Sequence, residues 1–140
     1  MRLECEVRVL GLPIRTEAVQ LDEGWDVSVF GGSRSHVGAV MLAEPDGSAQ
    51  TLLRTAHRDD TVSACWARTL AARWHAPVCV RAGIHYDGID RSQIDGILQG
   101  CDALLNTLME RKEAHDFNGT GCAGGQPDGG ACTVPGQMDV

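Results

Sequence analysis

The chain has 140 residues, of which 43% are hydrophobic and only 4% aromatic, and this composition predicts one globular domain with a real core. Its formal net charge of −7 argues against binding to nucleic acids or other polyanions, and the scarcity of aromatic rings argues against base stacking. No apolar run approaches the ~18 residues that span a bilayer and no signal peptide pattern opens the chain, so we expect a cytoplasmic protein without membrane association.

Five strand patterns occupy the first half of the chain. The first alternates polar and apolar residues, as a strand with one buried face should. The fourth is apolar throughout, which favours a central position in a sheet. Turn signals such as Glu44-Pro45-Asp46-Gly47 separate them, so the pattern predicts an antiparallel meander. The five strands are predicted at residues 4–10, 14–21, 25–30, 37–43 and 49–54.

The second half of the chain changes to helical periodicity. From Asp60 the apolar residues recur at helical spacing, a strand follows at residues 78–82, and Asp90-Arg91-Ser92-Gln93 is a capping box that opens a second amphipathic helix. The predicted fold is therefore α+β, a mainly antiparallel sheet with two helices packed on one face, in the order βββββαβα. Such a sheet leaves a face and an edge uncovered, which favours a homodimer.

The apolar rhythm ends near Lys112, and many glycines follow it. We therefore predict a single α+β domain at residues 1–114 and a Gly-rich flexible tail at residues 115–140. The tail contains Cys122 and Cys132, whose spacing matches no zinc motif and whose role stays open. The other four cysteines lie on apolar stripes and are predicted to be small buried hydrophobic residues: Cys5, Cys65, Cys79 and Cys101.

Three short segments each place one histidine at the end of a predicted strand. They are residues 31–38 with His36, residues 56–60 with His57, and residues 82–87 with His85. Strand ends are where α/β folds place ligands, so we expect these segments to meet in a site. The pair Gly31-Gly32 permits a backbone nest for a phosphate, to which Arg34 and Arg58 would add charge-assisted hydrogen bonds.

The residue types alone are compatible with several different functions for these three segments. His36, His57 and His85, with Asp59 or Asp87, are of the types that bind zinc, manganese or iron. Alternatively, His85 with Asp87, or His57 with Asp59, would form an oriented imidazole for acid–base catalysis. A third interpretation has each histidine bound only to loop backbone.

At these same residues the sequence resembles the LpdD-like prenylated-flavin chaperones, whose members have often been labelled as components of gallate decarboxylase. The resemblance runs in order over residues 20–110, and its strongest parts are His36-Val37-Gly38-Ala39 and Ala82-Gly83-Ile84-His85-Tyr86-Asp87. The middle segment departs from the pattern, because Ala56 stands where glycine is expected and Arg58 where lysine is expected.

The resemblance implies a chaperone rather than a catalyst. Such a protein would bind prenylated FMN between the flavin prenyltransferase that makes it and the UbiD-type (de)carboxylase that uses it, and would hold, mature or deliver the cofactor. The rival interpretations are a small His/Asp metal-dependent enzyme and a non-catalytic accessory subunit of a decarboxylase. No residue is assigned as catalytic, and His36, His57 and His85 are the candidate ligands of a divalent metal. The cofactor-binding residues implied are Gly31, Gly32, Arg34, His36, Gly38, His57, Arg58, Gly83, His85 and Asp87.

Overall fold

The computed structural model describes residues 1–54 and 59–119 of the chain. Its elements follow the predicted order βββββαβα. The strands are β1 (Arg2–Val9), β2 (Leu12–Gln20), β3 (Trp25–Gly32), β4 (Arg34–Ala43), β5 (Ala49–Leu53) and β6 (Val78–His85), and the helices are α1 (Asp60–Trp74) and α2 (Arg91–Gly119).

The six strands form one sheet in the order β1-β2-β3-β6-β4-β5. All neighbours are antiparallel except β3 and β6, which are parallel. The α+β prediction is confirmed, but the predicted meander is wrong after β3. The strands β3 and β4 are separated in sequence by Ser33 alone, yet they diverge and β6 lies between them.

Both helices pack on the same face of the sheet. Strand residues alternate between burial and exposure, so that in β1 the side chains of Leu3 and Cys5 are buried while Arg2 and Glu4 are exposed. The buried residues of every strand except β5 join those of α1 and α2 in one core cluster. The opposite face of the sheet, here called the open face, carries no helix from the described part of the chain.

The open face of β1, β2, β3 and β6 carries charges that are paired across neighbouring strands. Arg2 contacts Glu17 at 2.8 Å and Arg15 contacts Glu6 at 2.7 Å. These pairs are solvent-exposed, so each contributes little to stability, but they keep this part of the face polar.

The helix α2 begins where the capping box predicts and continues to Gly119. Asp90 Oδ1 accepts a hydrogen bond from the Gln93 backbone N–H, and Gln93 Oε1 accepts one from the Asp90 N–H, both at 2.9 Å. The helix therefore extends beyond the predicted domain boundary at residue 114. The flexible tail, with Cys122 and Cys132, stays a prediction because residues 120–140 lie outside the described residues.

Three of the four cysteines predicted to be small hydrophobic residues are free thiols, and Cys5 and Cys101 among them are buried while Cys79 is half-buried. Cys65 is half-buried and disulfide-bonded, so the prediction is wrong for this residue. No helix within residues 1–54 and 59–119 combines the length and apolarity needed to cross a membrane.

Candidate functional site

The carboxyl ends of the parallel strands β3 and β6 lie side by side. Gly32 pairs in register with His85 on one side of β6, and Arg34 pairs with His85 on the other. The Ser33 backbone N–H donates a hydrogen bond of 2.7 Å to the His85 carbonyl oxygen. The segment at residues 31–38 is therefore the end of β3, one turn residue and the start of β4, wrapped around the end of β6.

A bulge in β4 sets the position of His36. The pairs Ser35–Ile84 and Ala39–Ala82 leave three residues of β4 opposite Gly83 alone. A Cβ atom on Gly83 would overlap the His36 carbonyl oxygen, so only glycine permits this approach. Such bulges redirect side chains next to functional sites.

The bulge directs the His36 side chain toward the buried carboxylate of Asp59, the residue immediately before α1. His36 Nε2 lies 2.9 Å from Asp59 Oδ2, and their side chains are 15% and 3% exposed. Asp59 Oδ1 accepts a hydrogen bond of 3.0 Å from the Ile84 backbone N–H, and the Asp59 carbonyl accepts one from the Ser63 N–H. A Cβ atom on Gly38 would overlap this carboxylate. Asp59 therefore joins β4, β6 and α1.

A second histidine–aspartate pair faces solvent at the end of β6. His85 Nε2 lies 2.7 Å from Asp87 Oδ1, and the histidine side chain is 34% exposed. The Asp87 backbone N–H donates to Ser33 Oγ at 3.2 Å. The rings of His36 and His85 are 6.4 Å apart between centroids and nearly perpendicular. The structure thus brings together two of the three histidines and confirms the predicted contact between His85 and Asp87.

Arg34 lies beside this exposed pair, and no described residue compensates its charge. Within residues 1–54 and 59–119 its side chain forms no ion pair or hydrogen bond, whereas the open-face arginines Arg15 and Arg81 are paired with carboxylates. Since Arg34 is exposed and pairs across the strands with His85, its guanidinium is available to an anion at the end of β6.

An open cleft of about 950 Å³ extends from the end of β3 across the open face of β1 and β2. Its charged lining consists of three glutamates and two arginines, so its charge does not favour a phosphate. Phe30 and Ser28 contribute an apolar ring and a hydroxyl from β3. The charged lining residues are Glu4, Glu6, Glu17, Arg15 and Arg111.

The family model described as the prenylated flavin chaperone LpdD-like domain matches residues 9–113. The chain belongs to this family. No curated protein matches the chain. Among solved structures, this LpdD-like domain is similar to a chain from the crystal structure of a novel chaperone complex for yeast 20S proteasome assembly, with a TM-score of 0.43 and 16% sequence identity, over 77% of this chain and 98% of that one.

The glycines that were assigned to cofactor binding in this LpdD-like domain all lie where another segment packs against the backbone. A Cβ atom on Gly31 would overlap the Pro13 carbonyl oxygen, and one on Gly32 would overlap the His85 carbonyl oxygen. Gly32 also has φ of 84°, a conformation that favours glycine. Packing accounts for these glycines, and for Gly38 and Gly83, so their contact with a ligand stays a prediction.

Two predicted site residues of the LpdD-like domain, His57 and Arg58, lie outside the described residues. Within residues 1–54 and 59–119 no group of three or more histidine, cysteine, aspartate or glutamate side chains is placed to hold a metal ion. Of the three predicted metal ligands His36, His57 and His85, only His36 and His85 are therefore among the described residues.

Burial raises the pKa of the Cys101 thiol to about 12, so this thiol stays protonated and is a poor nucleophile.

Sequence reasoning missed two residues that shape the site, Ser33 and Tyr86. Ser33 binds both the His85 carbonyl and the Asp87 amide. The Tyr86 hydroxyl donates a hydrogen bond of 2.9 Å to the Val9 carbonyl oxygen and thereby ties the end of β6 to the turn between β1 and β2. Tyr86 was detectable from the alternation that buries every second residue of β6, but Ser33 carries no comparable signal.

Proposed function

We propose that this LpdD-like domain binds prenylated FMN at the carboxyl end of β6 and holds it for a UbiD-type decarboxylase. The family supports the choice of prenylated flavin. The observation that carries the placement is the exposed His85–Asp87 pair directly beside Arg34, whose charge has no partner among the described residues. A cation next to an oriented imidazole suits a ligand with an anionic end and a polar ring.

The phosphate of the cofactor belongs at the Arg34 end of the site. Arg34 supplies charge, and Ser33 is exposed beside it with a hydroxyl group. The neighbouring cleft is lined by Glu4, Glu6 and Glu17 together with Arg15 and Arg111. Because Glu6 occupies Arg15 in an ion pair, the cleft offers a phosphate dianion little free positive charge. The cofactor therefore lies with its phosphate near Arg34 and its ring system away from that charge.

The two histidines have different roles in this proposal. His85 is accessible, and the Asp87 carboxylate fixes one of its ring nitrogens, so His85 contacts the polar edge of the flavin. His36 is largely buried against Asp59, so it supports the strand end on which His85 lies. His57, Arg58 and a divalent metal remain predictions that belong to the same site.

The proposed biological context is transfer of the cofactor between two enzymes. The chain would receive prenylated FMN from a flavin prenyltransferase and deliver it to the decarboxylase in the cytoplasm. A chaperone needs a site that releases its ligand, and the solvent-exposed end of β6 meets that need better than an enclosed cavity does.

An anaerobic absorbance titration with prenylated FMN, with FMN as the second ligand, tests the proposal. We expect saturable binding that prefers the prenylated form. His85→Ala should weaken it by about tenfold, which corresponds to the loss of one well-placed hydrogen bond. Arg34→Ala should weaken both flavins alike, because both carry the phosphate.

The matched control is His115→Ala, which removes an exposed histidine from α2, away from the end of β6. It should leave the affinity unchanged. If neither flavin binds the wild-type chain, the proposed function is wrong. If His85→Ala and Arg34→Ala both bind as the wild type does, the cofactor lies elsewhere on the domain.

A further inference from the structure

Cys65 in α1 is disulfide-bonded, but its partner is not among the described residues. The other three described cysteines are free thiols, namely Cys5, Cys79 and Cys101. The chain contains six cysteines, which leaves Cys122 and Cys132 as the possible partners within the chain. The disulfide of Cys65 therefore connects α1 with the glycine-rich segment that follows α2.

The helices α1 and α2 run in the same direction along the sheet. Asp59, immediately before α1, binds the Ile84 backbone N–H near the carboxyl end of β6, and α2 begins at Arg91, shortly after β6 ends. Toward their other ends, the Arg73 guanidinium of α1 contacts the Glu113 carboxylate of α2 at 2.8 Å. This contact is a common reference from which positions along both helices can be measured.

Cys65 and the end of α2 lie in opposite directions from this contact. Cys65 precedes Arg73 by eight residues, which is about 12 Å toward the carboxyl end of β6 at the helical rise of about 1.5 Å per residue. Gly119 follows Glu113 by six residues, which is about 9 Å in the other direction. The chain that leaves α2 must therefore turn back by about 21 Å to reach the level of Cys65.

Chain length distinguishes the two possible partners. An extended chain spans at most about 3.6 Å per residue, and disulfide-linked Cα atoms lie about 6 Å apart. The three residues from Gly119 to Cys122 therefore cover about 17 Å together with the disulfide, which is too short. The thirteen residues from Gly119 to Cys132 extend to about 47 Å, which is ample. We propose that Cys65 and Cys132 form the disulfide and that this bond fastens residues 120–132 along the outer side of α1.

The side of α1 that carries Cys65 suits a glycine-rich segment. Cys65 is half-buried, and the residues three and seven positions later on the same side of the helix, Arg68 and Ala72, are exposed. The positions beside Cys65 on this side carry the small side chains of Ala64 and Thr69, which let a backbone rich in glycine approach closely. The five glycines of residues 120–132 are Gly121, Gly124, Gly125, Gly129 and Gly130.

Charge complementarity supports this placement. Arg68 lies about one turn after Cys65 and forms no ion pair within residues 1–54 and 59–119. The segment 120–132 contains one ionisable side chain other than its cysteines, Asp128, four residues before Cys132. With the disulfide formed, Asp128 comes within reach of Arg68, and the two opposite charges attract each other.

Formation of this disulfide is a two-electron oxidation, for which a small disulfide such as oxidised glutathione is the oxidant. The Cys132 thiolate attacks one sulfur of oxidised glutathione and releases one glutathione. The Cys65 thiolate then attacks the Cys132 sulfur of the mixed disulfide and releases the second, and the protons of the two protein thiols end on the two glutathione molecules. Excess reduced thiol reverses both steps, so the redox state of the surroundings determines whether residues 120–132 are fastened.

Peptide mapping of the full chain, equilibrated with oxidised glutathione, tests the connectivity and does not depend on flavin binding. Free thiols are alkylated first, and the chain is then cut with trypsin and with a protease that cleaves before aspartate, because Asp128 separates Cys122 from Cys132. We expect a peptide pair that links Cys65 to Cys132, and an alkylated thiol at Cys122.

Two serine variants test the assignment to Cys132. Cys132→Ser should abolish the link and leave the Cys65 thiol open to alkylation. The matched control is Cys122→Ser, which removes a cysteine from the same segment and should retain the link between Cys65 and Cys132.

The melting temperature provides a second readout. Closing the loop of 67 residues between Cys65 and Cys132 in the unfolded chain costs more entropy than closing the thirteen-residue span in the folded domain. The oxidised wild-type chain should therefore melt about 5 °C above the reduced chain. Cys132→Ser should melt at the same temperature with and without reductant.

Four results would overturn the proposal. A free Cys65 thiol after oxidation would mean that the bond does not form, and a link from Cys65 to Cys122 would mean that the reach of the chain was misjudged. A covalent dimer on a non-reducing gel would mean that the bond joins two chains. An oxidised wild-type chain that melts as the reduced chain does would mean that the bond does not constrain residues 120–132.

Discussion

At the scale of single residues, Asp59 is the residue on which the site is built. Its carboxylate is 3% exposed, and it binds the His36 ring with one oxygen and the Ile84 backbone N–H with the other. A buried carboxylate is tolerable only when its oxygens are satisfied in this way. The contacts hold the bulge of β4 against the end of β6, where His85 is placed.

Replacing Asp59 with alanine should therefore destabilise the domain strongly. The change leaves the Ile84 N–H without its acceptor and removes the His36 partner. We expect a loss on the order of 3 kcal/mol in the free energy of unfolding, measured by urea denaturation. Asp59→Asn, which keeps the shape but not the charge, should cost less than the alanine change.

The neighbouring Asp60 provides the control, since it is half-buried and lies in the first turn of α1. Asp60→Asn should change the free energy of unfolding by only about 0.5 kcal/mol, because Asp60 Oδ1 has no hydrogen-bond partner among the described residues and the change removes only a charge near the start of the helix dipole. Equal effects at the two positions would mean that the contacts of Asp59 are not responsible.

The contact between His85 and Asp87 could be predicted from the sequence, but the contact between His36 and Asp59 could not. His85 and Asp87 are two residues apart at the end of a strand, so their contact is local and predictable. His36 and Asp59 are 23 positions apart, and their contact depends on a bulge in β4 that Gly83 of β6 permits. The predicted pairing of Asp59 with His57 rested on sequence proximity, and it stays a prediction because His57 lies outside the described residues.

At the scale of elements, hydrogen bonds at the start of α2 hold the conformation of the chain segment that leads from β6 into this helix. Asp90 Oδ1 accepts hydrogen bonds from the Ser92 hydroxyl at 2.7 Å and the Gln93 N–H at 2.9 Å. These hydrogen bonds hold the pKa of Asp90 below its usual value, because they favour the charged form. The cap was predictable, since a capping box is a local pattern of four residues.

Asp90→Ala should lower the melting temperature by about 2–4 °C at neutral pH, through the loss of the cap. Because the pKa of Asp90 is lower in the folded state, its carboxylate stabilises the folded domain at pH values above the unfolded-state pKa near 3.8. This stabilisation is lost as the pH falls through the lower folded-state pKa. The difference between Asp90→Asn and the wild type should therefore shrink below about pH 4. Urea midpoints measured between neutral and acidic pH check this, and a difference that is independent of pH would assign the effect to geometry alone.

The order of elements was predictable, but the order of strands in the sheet was not. Periodicity of 2 and 3.6 residues is local, so it identified all eight elements. Insertion of β6 between β3 and β4 depends on contacts between distant residues, such as Trp25 with Val78. A β-strand that follows a helix can pair in parallel with an earlier strand, and the meander prediction overlooked this option.

At the scale of the whole molecule, β6 joins two parts of the sheet, β1-β2-β3 and β4-β5, which share no other strand pairing. It pairs with β3 on one side and with β4 on the other, and its residues Val78, Val80, Ala82 and Ile84 are all buried. Without it, the hairpin of β4 and β5 would have no hydrogen-bonded partner in the rest of the sheet. We therefore expect the described domain to unfold as one cooperative unit.

Val80→Ala tests this coupling. Loss of two buried methyl groups at a residue with 0% exposure should cost about 2 kcal/mol in the free energy of unfolding. If β6 couples the two parts, amide exchange should accelerate by the same factor at Thr16 in β2 and at Met41 in β4. The control Leu21→Ala, at an exposed site, should leave both exchange rates nearly unchanged.

Faster exchange at Met41 alone would mean that β4 and β5 open independently, because β1, β2 and β3 with α2 would then retain their protection. Such independent opening would separate Arg34 from His85, since the two lie on β4 and β6, so cooperativity of the sheet is a condition for a stable cofactor site at this strand end.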